Sequence, residues 1–346
     1  MITMKLEDIA RLADVSKSAA SLALNGKSGV SEKTRAHILE VAKKHNYVPL
    51  RKHNKTVTNE KTLTIRFVAC TNADVIPMNY QQLPFFSELL SYLSTEITAK
   101  NYMLITNNLP KEELFSSLRQ FEEKQPSDGI ILLGTNLTSS HLADGTQFKN
   151  LVILDTESSN TNCTTITMNN FLGGYSAAEH LLQMNHDKIG YIKGTPRINN
   201  FYDRRRGFKE ALKRHGHNPD KLPKYYLPGM EINIVEKDIE KFLSFIQSVT
   251  AIFCEDDYIA ISVLKTLNKH GIRVPEDVSI IGFDDIPESR VTSPELTTVH
   301  VPISAIAKEA VSLIERTSED NTLVKQQIFF NTQLVIRDSV KNLKRK

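Results

Sequence analysis

The chain has 346 residues, a length that typically holds two or three domains. Hydrophobic residues make up 40% of it and charged residues 24%, which excludes a disordered chain, and no apolar run is long enough to span a membrane. The formal net charge is +3, yet residues 1 to 59 contain eleven Lys or Arg and only five Asp or Glu. A nucleic-acid partner is therefore expected at the N-terminal end.

The first residues and the cysteines indicate where the protein works. The N-terminus lacks the pattern of a secretory signal peptide. Cys70, Cys163 and Cys254 are odd in number and show no CxxC spacing, so neither disulfides nor a metal site is expected. We therefore expect a cytoplasmic protein that works without a metal or other cofactor.

Residues 5 to 47 have the pattern of three short helices. From Leu6 to Ala13 the apolar residues follow the i, i+3, i+4, i+7 spacing of one helix face. Ser16 and Ser31 are suitable N-caps for a second and a third helix, because a serine hydroxyl accepts a free backbone N–H. Two helices joined by a tight turn, the second starting with small side chains, are typical of a helix-turn-helix that enters the DNA major groove.

The stretch DIARLADVSKSAASLALNGKSGVSEKTRAHILEVAKKHNYVP resembles the DNA-binding headpiece of the lactose-repressor family of bacterial transcription regulators. The match runs from Leu6 to Pro49, so residues 1–49 are interpreted as a headpiece that binds a palindromic operator. The resemblance implies that bases are read by Lys17, Ser18 and Leu22. It implies that phosphates are contacted by Ser16, Ser21, Asn25 and Ser31.

Two features depart from the family pattern. Leu22 stands where most members have an Arg that pairs with guanine, so we expect an altered preference at the base pair that faces it. Residues 50–61 form a polar linker. In members of the family, a leucine of this linker inserts into the minor groove of the DNA. Val57 is the only aliphatic residue between Arg51 and Lys61. Either Val57 is a weaker wedge or the linker binds DNA by charge alone.

After the linker, short apolar runs alternate with amphipathic helical stretches, a pattern that predicts parallel sheets built from βαβ units. The runs are too many for one sheet. We therefore predict two doubly wound α/β subdomains with a break near residue 160. The first would comprise about 62–160 plus 293–320, and the second 161–292 plus 321–340.

This core, residues 62–346, is similar to the effector-binding core of the same family, which is itself similar to periplasmic sugar-binding proteins. The resemblance is carried by NNFLGGYSAAEHLLQMNHDKIGYIKG, RRRGFKEALKRHG and DDYIAISVLKTLNKHGIRVPEDVSIIGFDDIPESR. It implies a small-molecule effector in a cleft between the subdomains. The tail after Ser339 has no leucine heptads of the kind that make some members tetramers, so a homodimer is expected.

Candidate effector contacts lie just after the predicted strands, since ligands bind at the carboxyl ends of parallel strands. On this ground the candidates are Asn72, Asn136, Arg197, Asp256 and Asp284. The resemblance adds Arg204 and also supports Asp256 and Asp284. Phe85 either stacks on a sugar face or anchors a helix in the core.

Asp256 stands where the family usually has Asn, so the ligand would offer extra donors or a positive group there. The neighbouring Asp257 is expected to cap the following helix.

These polar residues favour a polyol as the ligand. We expect a sugar or sugar phosphate that controls a repressor of carbohydrate-utilisation genes; a nucleoside or purine is the alternative. A sugar-binding protein or a carbohydrate-acting enzyme is a weaker alternative. An enzyme is not expected, because the sequence shows no recognisable nucleophile and base set and no phosphate-binding loop.

Overall fold

The computed structural model describes residues 5–24, 27–45, 47, 62–72, 75–156, 162–319 and 324–344. The chain divides into two compact units, Met1–Lys61 and Thr62–Lys346. The predicted DNA contacts Asn25 and Val57 lie outside the described residues.

In the described part of the N-terminal unit, the helices are Leu6–Leu12 (α1), Lys17–Leu24 (α2) and Glu32–Lys44 (α3). They pack around a small core formed by Ile9, Ala13, Ala23, Ile38 and Ala42. Between α1 and α2 the chain turns sharply, because Asp14 adopts a left-handed backbone with φ 51°. The three-helix pattern predicted from the sequence is confirmed.

Both N-caps predicted for this unit are confirmed. Ser16 Oγ accepts the backbone N–H of Ala19 at 3.1 Å, which fixes the start of α2. Ser31 Oγ accepts the backbone N–H of Thr34 at 3.1 Å and caps α3. Each hydroxyl satisfies one of the N–H groups that have no partner within the helix.

The second unit contains a six-stranded sheet in which all neighbouring strands are parallel. Its strands, in spatial order, are Gln327–Phe330 (β11), Thr164–Met168 (β5), Leu151–Leu154 (β4), Gly129–Leu133 (β3), Thr64–Thr71 (β1) and Met103–Pro110 (β2). The helices of this part are Pro84–Ala99 (α4), Leu114–Lys124 (α5), Ser139–Leu142 (α6) and Ile303–Glu319 (α11).

A four-stranded parallel sheet follows in the same unit. Its strands, in spatial order, are Lys224–Pro228 (β7), Ile189–Thr195 (β6), Ala251–Cys254 (β8) and Ser279–Ile281 (β9). The helices of this part are Asn170–Gln183 (α7), Asn199–Arg214 (α8), Ile239–Gln247 (α9) and Asp257–Lys269 (α10). The remaining strands, Thr298–His300 (β10) and Gln333–Val335 (β12), form an antiparallel pair.

Side chains of the large sheet are buried on both faces. Along β1, Phe67 and Ala69 belong to one apolar cluster, whereas Val68 and Cys70 belong to another. This alternation follows from the two-residue period of a strand. A parallel sheet that is covered by helices on both sides needs apolar side chains on both faces. The predicted α/β architecture with two parallel sheets is confirmed.

The division between the two sheets differs from the predicted one. The sequence placed a break near residue 160 and the last strand in the second subdomain. Instead, β5 pairs with β4, and β11 pairs with β5, so both strands belong to the first sheet. The polar stretch near residue 160 has a composition that also suits a loop between neighbouring strands. The pairing of β11 with β5 joins residues far apart in the chain, and a local pattern does not contain that information.

Candidate functional site

The carboxyl ends of the two sheets meet in one region of the second unit, which we call the cleft. Asp155 follows β4 of the first sheet, and its Oδ1 accepts a hydrogen bond from Asn200 Nδ2 of α8 at 2.7 Å. The backbone N–H of Asn199, also in α8, donates to Asn136 Oδ1 beyond β3 at 3.3 Å. Parallel sheets place ligand sites at this edge, so the cleft is the candidate effector site.

Asp155 is 7% exposed and receives its hydrogen bonds from neutral groups. Its Oδ2 accepts from the Thr135 hydroxyl, and its Oδ1 from the amide of Asn200. Burial raises the pKa of Asp155 above the ordinary value of an aspartate, although both hydrogen bonds oppose this shift.

Arg204 of α8 is the central cation of the cleft and is 3% exposed. Its Nε donates to Asn170 Oδ1 at 2.9 Å, one Nη donates to the backbone carbonyl of Glu255, and the other Nη donates to Asp284 Oδ1 at 3.0 Å. The guanidinium also lies 3.6 Å from the centre of the Phe283 ring. All three guanidinium nitrogens thus have protein partners, and Arg204 links α7, the end of β8 and the segment after β9.

Asp284 is 6% exposed, with a backbone φ of 112°. A residue with a side chain adopts this conformation only when its surroundings hold it there. Burial raises the pKa of Asp284 to about 6, while the neighbouring guanidinium of Arg204 works in the opposite direction. The predicted site residues Arg204 and Asp284 are therefore direct partners of one another.

Asp256 caps α10, because its Oδ1 accepts the backbone N–H of Ile259 at 2.7 Å. Its other oxygen, Oδ2, is buried and has no hydrogen-bond partner among the described residues. A Cβ added at Gly229 would lie 3.2 Å from this oxygen. Burial, followed by the charge of Asp284, raises the pKa of Asp256 to about 7.

The helix cap predicted at Asp257 is wrong, since the preceding residue takes that position. Asp257 is buried and accepts hydrogen bonds from Ile286 N at 3.1 Å, Ser289 Oγ at 2.7 Å and Thr298 Oγ1 at 2.6 Å. Two of these donors follow β9 and the third belongs to β10, so the role of Asp257 is to hold both parts of the chain against α10. Sequence alone did not distinguish two adjacent aspartates at a helix start.

Glu255 is a buried carboxylate of the cleft that the sequence analysis did not single out. It accepts hydrogen bonds from Tyr191 Oη at 2.9 Å, Gly194 N at 2.7 Å and the Arg197 guanidinium. Burial raises its pKa although Arg197 opposes the shift. Its position directly after an apolar strand was the only sequence signal that could have found it.

Arg197 is held by this glutamate and by aromatic rings. Its guanidinium lies 4.9 Å from the centre of the Tyr202 ring and 5.4 Å from that of Phe201. Two of its nitrogens, Nε and Nη2, are buried and have no hydrogen-bond partner among the described residues.

A cavity of about 20 Å³ lies in the cleft, enough for about one water molecule. Three of the predicted effector contacts, Phe85, Arg204 and Asp284, line it together. Phe85 also donates its backbone N–H to Tyr258 Oη of α10 at 3.1 Å. Asn72 is not among the lining residues, and its Oδ1 accepts Val75 N at 2.8 Å, which closes the turn after β1.

In the N-terminal unit, the start of α2 is exposed to solvent. Ser16, Lys17 and Ser18 are exposed, and Lys17 pairs with the exposed Glu7. Ser21 and Leu22 are half-buried, and a Cβ at Gly29 would lie 3.2 Å from Leu22 Cδ1.

Arg35 of α3 was not singled out by the sequence analysis. It donates to the backbone carbonyls of Ala23 and Lys27 and so fixes the end of α2.

Within the described residues, no helix is both long and apolar enough to cross a membrane, and no group of three or more His, Cys, Asp or Glu is placed to hold a metal ion.

Comparisons with known proteins agree with this arrangement. Residues 5–50 match the family model for bacterial regulatory proteins of the lacI family, and residues 178–340 match a periplasmic binding protein-like domain. The chain is 31% identical to the Probable HTH-type transcriptional repressor ExuR of Bacillus subtilis (strain 168), over 99% of each chain. It is 30% identical to the HTH-type transcriptional repressor PurR of Aliivibrio salmonicida (strain LFI1238), over 98% of this chain and 99% of that one.

Two solved structures share the fold. A crystal structure of the lac repressor dimer bound to operator and the anti-inducer ONPF aligns with a TM-score of 0.67 and 20% identity, over 98% of this chain and 100% of that chain. The complex of the transcriptional regulator CelR with cellobiose aligns with a TM-score of 0.65 and 22% identity, over 97% and 99% of the two chains.

Proposed function

Because the chain belongs to the lacI family of bacterial regulatory proteins and is a DNA-binding transcriptional repressor, we propose that a small molecule in the cleft controls its binding to a palindromic operator. The protein would act as a homodimer in the bacterial cytoplasm. The genes it controls would serve carbohydrate utilisation. The cleft between the two sheets is the feature of the protein that supports this function most strongly.

The observation that carries the proposal is a set of hydrogen bonds that cross the cleft. Asn200 reaches Asp155, and the backbone of Phe85 reaches the hydroxyl of Tyr258. These bonds leave a cavity that holds about one water molecule, so a larger ligand enters only if the two sides move apart. A ligand therefore favours one arrangement of the two sheets over another, which is what control by a ligand requires.

The lining of the cavity supports a sugar as the ligand. Asp155, Asn200 and Asp284 provide carboxylate and amide oxygens and amide N–H groups, which pair with hydroxyls. Phe85 and Phe201 provide apolar ring faces. A phosphorylated sugar fits this lining less well than a sugar without phosphate, because Arg204, the cation of the lining, already uses all three guanidinium nitrogens on protein partners.

A nucleoside or purine is the second candidate, favoured by the aromatic rings of Phe85, Phe86 and Phe201 around the same cavity. A flat base stacks on such rings as a sugar face does. A thermal-shift panel of neutral sugars and nucleosides separates the two, since the class that binds the folded protein raises its Tm.

On the DNA side, we propose that α2 enters the major groove. Its exposed first turn would place Ser16, Lys17 and Ser18 against the duplex, with Ser21 and Leu22 on the following turn. Asn25, Ser31 and Val57 complete the proposed set of DNA contacts.

Selection of random duplex DNA by the purified full-length protein, followed by sequencing, tests the DNA side. We expect enrichment of one site with two-fold symmetry, and loss of that enrichment in a Lys17→Ala, Ser18→Ala variant whose circular dichroism spectrum is unchanged. Lys33, exposed on α3 outside the proposed contact set, provides the control: Lys33→Ala should select the same site. Enrichment of a site without symmetry, or of none with and without ligand, would contradict the proposal.

A further inference from the structure

The cleft contains more buried carboxyl groups than cations. Its carboxyls belong to Asp155, Glu255, Asp256 and Asp284, each exposed by 7% or less. Its cations are the guanidiniums of Arg197 and Arg204, which pair with Glu255 and Asp284 respectively. Asp155 and Asp256 remain without a cationic hydrogen-bond partner among the described residues.

The two carboxyls without a cationic partner, those of Asp155 and Asp256, differ in their hydrogen bonds. Among the described residues, the side chain of Asp155 is hydrogen-bonded by the neutral groups of Thr135 and Asn200, and it lines the cavity. Asp256 uses one oxygen to cap α10, while its second oxygen is buried without any partner among the described residues. That oxygen lies next to Gly229, which precedes Met230 of the cavity lining, although Asp256 is not itself among the lining residues.

The carboxyls are close enough to influence each other. Burial raises the pKa of both Asp284 and Asp256, and the charge of Asp155 adds to the shift at Asp284, as the charge of Asp284 does at Asp256. The guanidinium of Arg204 lowers the pKa of all three carboxyls, but none of its hydrogen bonds goes to Asp155 or Asp256. A buried carboxylate without a full set of donors is costly, and a further positive group beside Asp155 and Asp256 reduces that cost.

We propose that the ligand of the cleft carries a protonated amine in addition to hydroxyl groups, as an amino sugar does. This inference rests on the proposed function, because it concerns the same ligand. The ammonium donates to the carboxylates of Asp155 and Asp256, while the hydroxyls pair with Asn200 and Asp284. An ammonium group has three donors and no acceptor, which suits a region rich in acceptors.

The N–H groups of Arg197 that have no partner among the described residues suggest, by contrast, a ligand with a negative charge. They could hold a carboxylate or phosphate on the ligand, so sugars with an anionic group belong in the test. Neither Arg197 nor Asp256 is among the residues that line the cavity, but the charge of Arg197 is already paired with Glu255, whereas Asp256 has no cationic hydrogen-bond partner among the described residues.

The experiment measures binding of matched sugars to the full-length protein by thermal shift and calorimetry at neutral pH and moderate salt. Each of glucose, galactose and mannose is compared with its 2-amino-2-deoxy, N-acetylated amino, uronate and 6-phosphate derivatives. We expect an amino sugar to bind at least about tenfold more tightly than its N-acetylated form, which has the same skeleton without the charge.

Two variants locate the effect. Asp256→Asn retains the oxygen that caps α10, and Asp155→Asn retains hydrogen-bonding ability, so both should fold. We expect each to reduce the preference for the amine by about tenfold. Asp277→Asn is the matched control, because Asp277 lies on the surface and pairs with Arg273, outside the cleft.

The outcomes separate the two proposals. Equal or tighter binding of neutral or anionic members of the series overturns the amine but leaves a sugar-binding cleft intact. An amine preference that Asp256→Asn and Asp155→Asn leave unchanged also overturns the inference. Failure of every sugar in the series to bind contradicts the proposed sugar ligand itself, and the inference with it.

Discussion

The substitution Asp256→Asn should stabilise the ligand-free protein at neutral and higher pH. The asparagine side chain keeps the oxygen that accepts the Ile259 N–H, so the cap of α10 remains. What it removes is a carboxyl whose second oxygen is buried without a partner among the described residues. The neighbouring negative charge of Asp284 adds to the cost of ionising that carboxyl.

The magnitude follows from the pKa. Burial raises the pKa of Asp256 from an ordinary 3.8 to about 7. A carboxyl with a raised pKa in the folded state contributes most to stability below its unfolded pKa, and the contribution is lost as the pH rises towards its folded pKa. A shift of roughly three pH units corresponds to about 4 kcal/mol of unfolding free energy, lost between about pH 4 and about pH 7. The asparagine variant lacks this loss.

Urea unfolding followed by circular dichroism measures the effect, since the chain has no tryptophan for fluorescence. The stability of the variant relative to the natural protein should rise between about pH 5 and about pH 7 and level off above that. Asp277→Asn, at an exposed carboxyl paired with Arg273, should give no such rise across that range, because the pKa of Asp277 is lowered to about 2. Parallel pH profiles for the natural protein and Asp256→Asn would refute the reasoning.

Two further predictions concern close contacts and DNA reading. A Cβ at Gly174 would lie 1.9 Å from the carbonyl oxygen of Arg204. The substitution Gly174→Ala should therefore force α7 and α8 apart and lower the unfolding free energy by about 3 kcal/mol. An unchanged midpoint of urea unfolding would contradict this close packing. Leu22→Arg should change the selected base at the position facing residue 22 towards guanine, because arginine pairs bidentately with guanine. Selection of the same operator by both proteins would rule out base reading by this residue.

Local features of the fold were predictable because they depend on residues close in sequence. The caps at Ser16 and Ser31 need only a hydroxyl and the N–H three residues ahead. The place of β11 in the first sheet was not predictable in this way, since its pairing with β5 joins residues about 160 positions apart. The alternation of strands and helices predicted parallel sheets, but it did not specify which strands share a sheet.

The same distinction applies to the cleft. The positions of Arg204 and Asp284 followed from the family resemblance and from the rule that ligands bind beyond strand ends, and both residues line the cavity. Only the three-dimensional structure shows that all three guanidinium nitrogens of Arg204 donate to protein groups. The buried network around Glu255 was missed because it joins β6, the residues between β6 and α8, and the end of β8, which no spacing in the sequence connects.

The central claim is that a ligand in the cleft controls operator binding. The most direct measurement is the affinity of the full-length protein for its selected operator, by fluorescence anisotropy, with and without a saturating sugar identified by thermal shift. We expect the ligand to change the Kd for operator by about tenfold or more. We also expect that Asp284→Asn, which weakens ligand binding in the cleft, requires correspondingly more ligand for the same change. An operator Kd that is unchanged when the cleft is saturated would contradict the account.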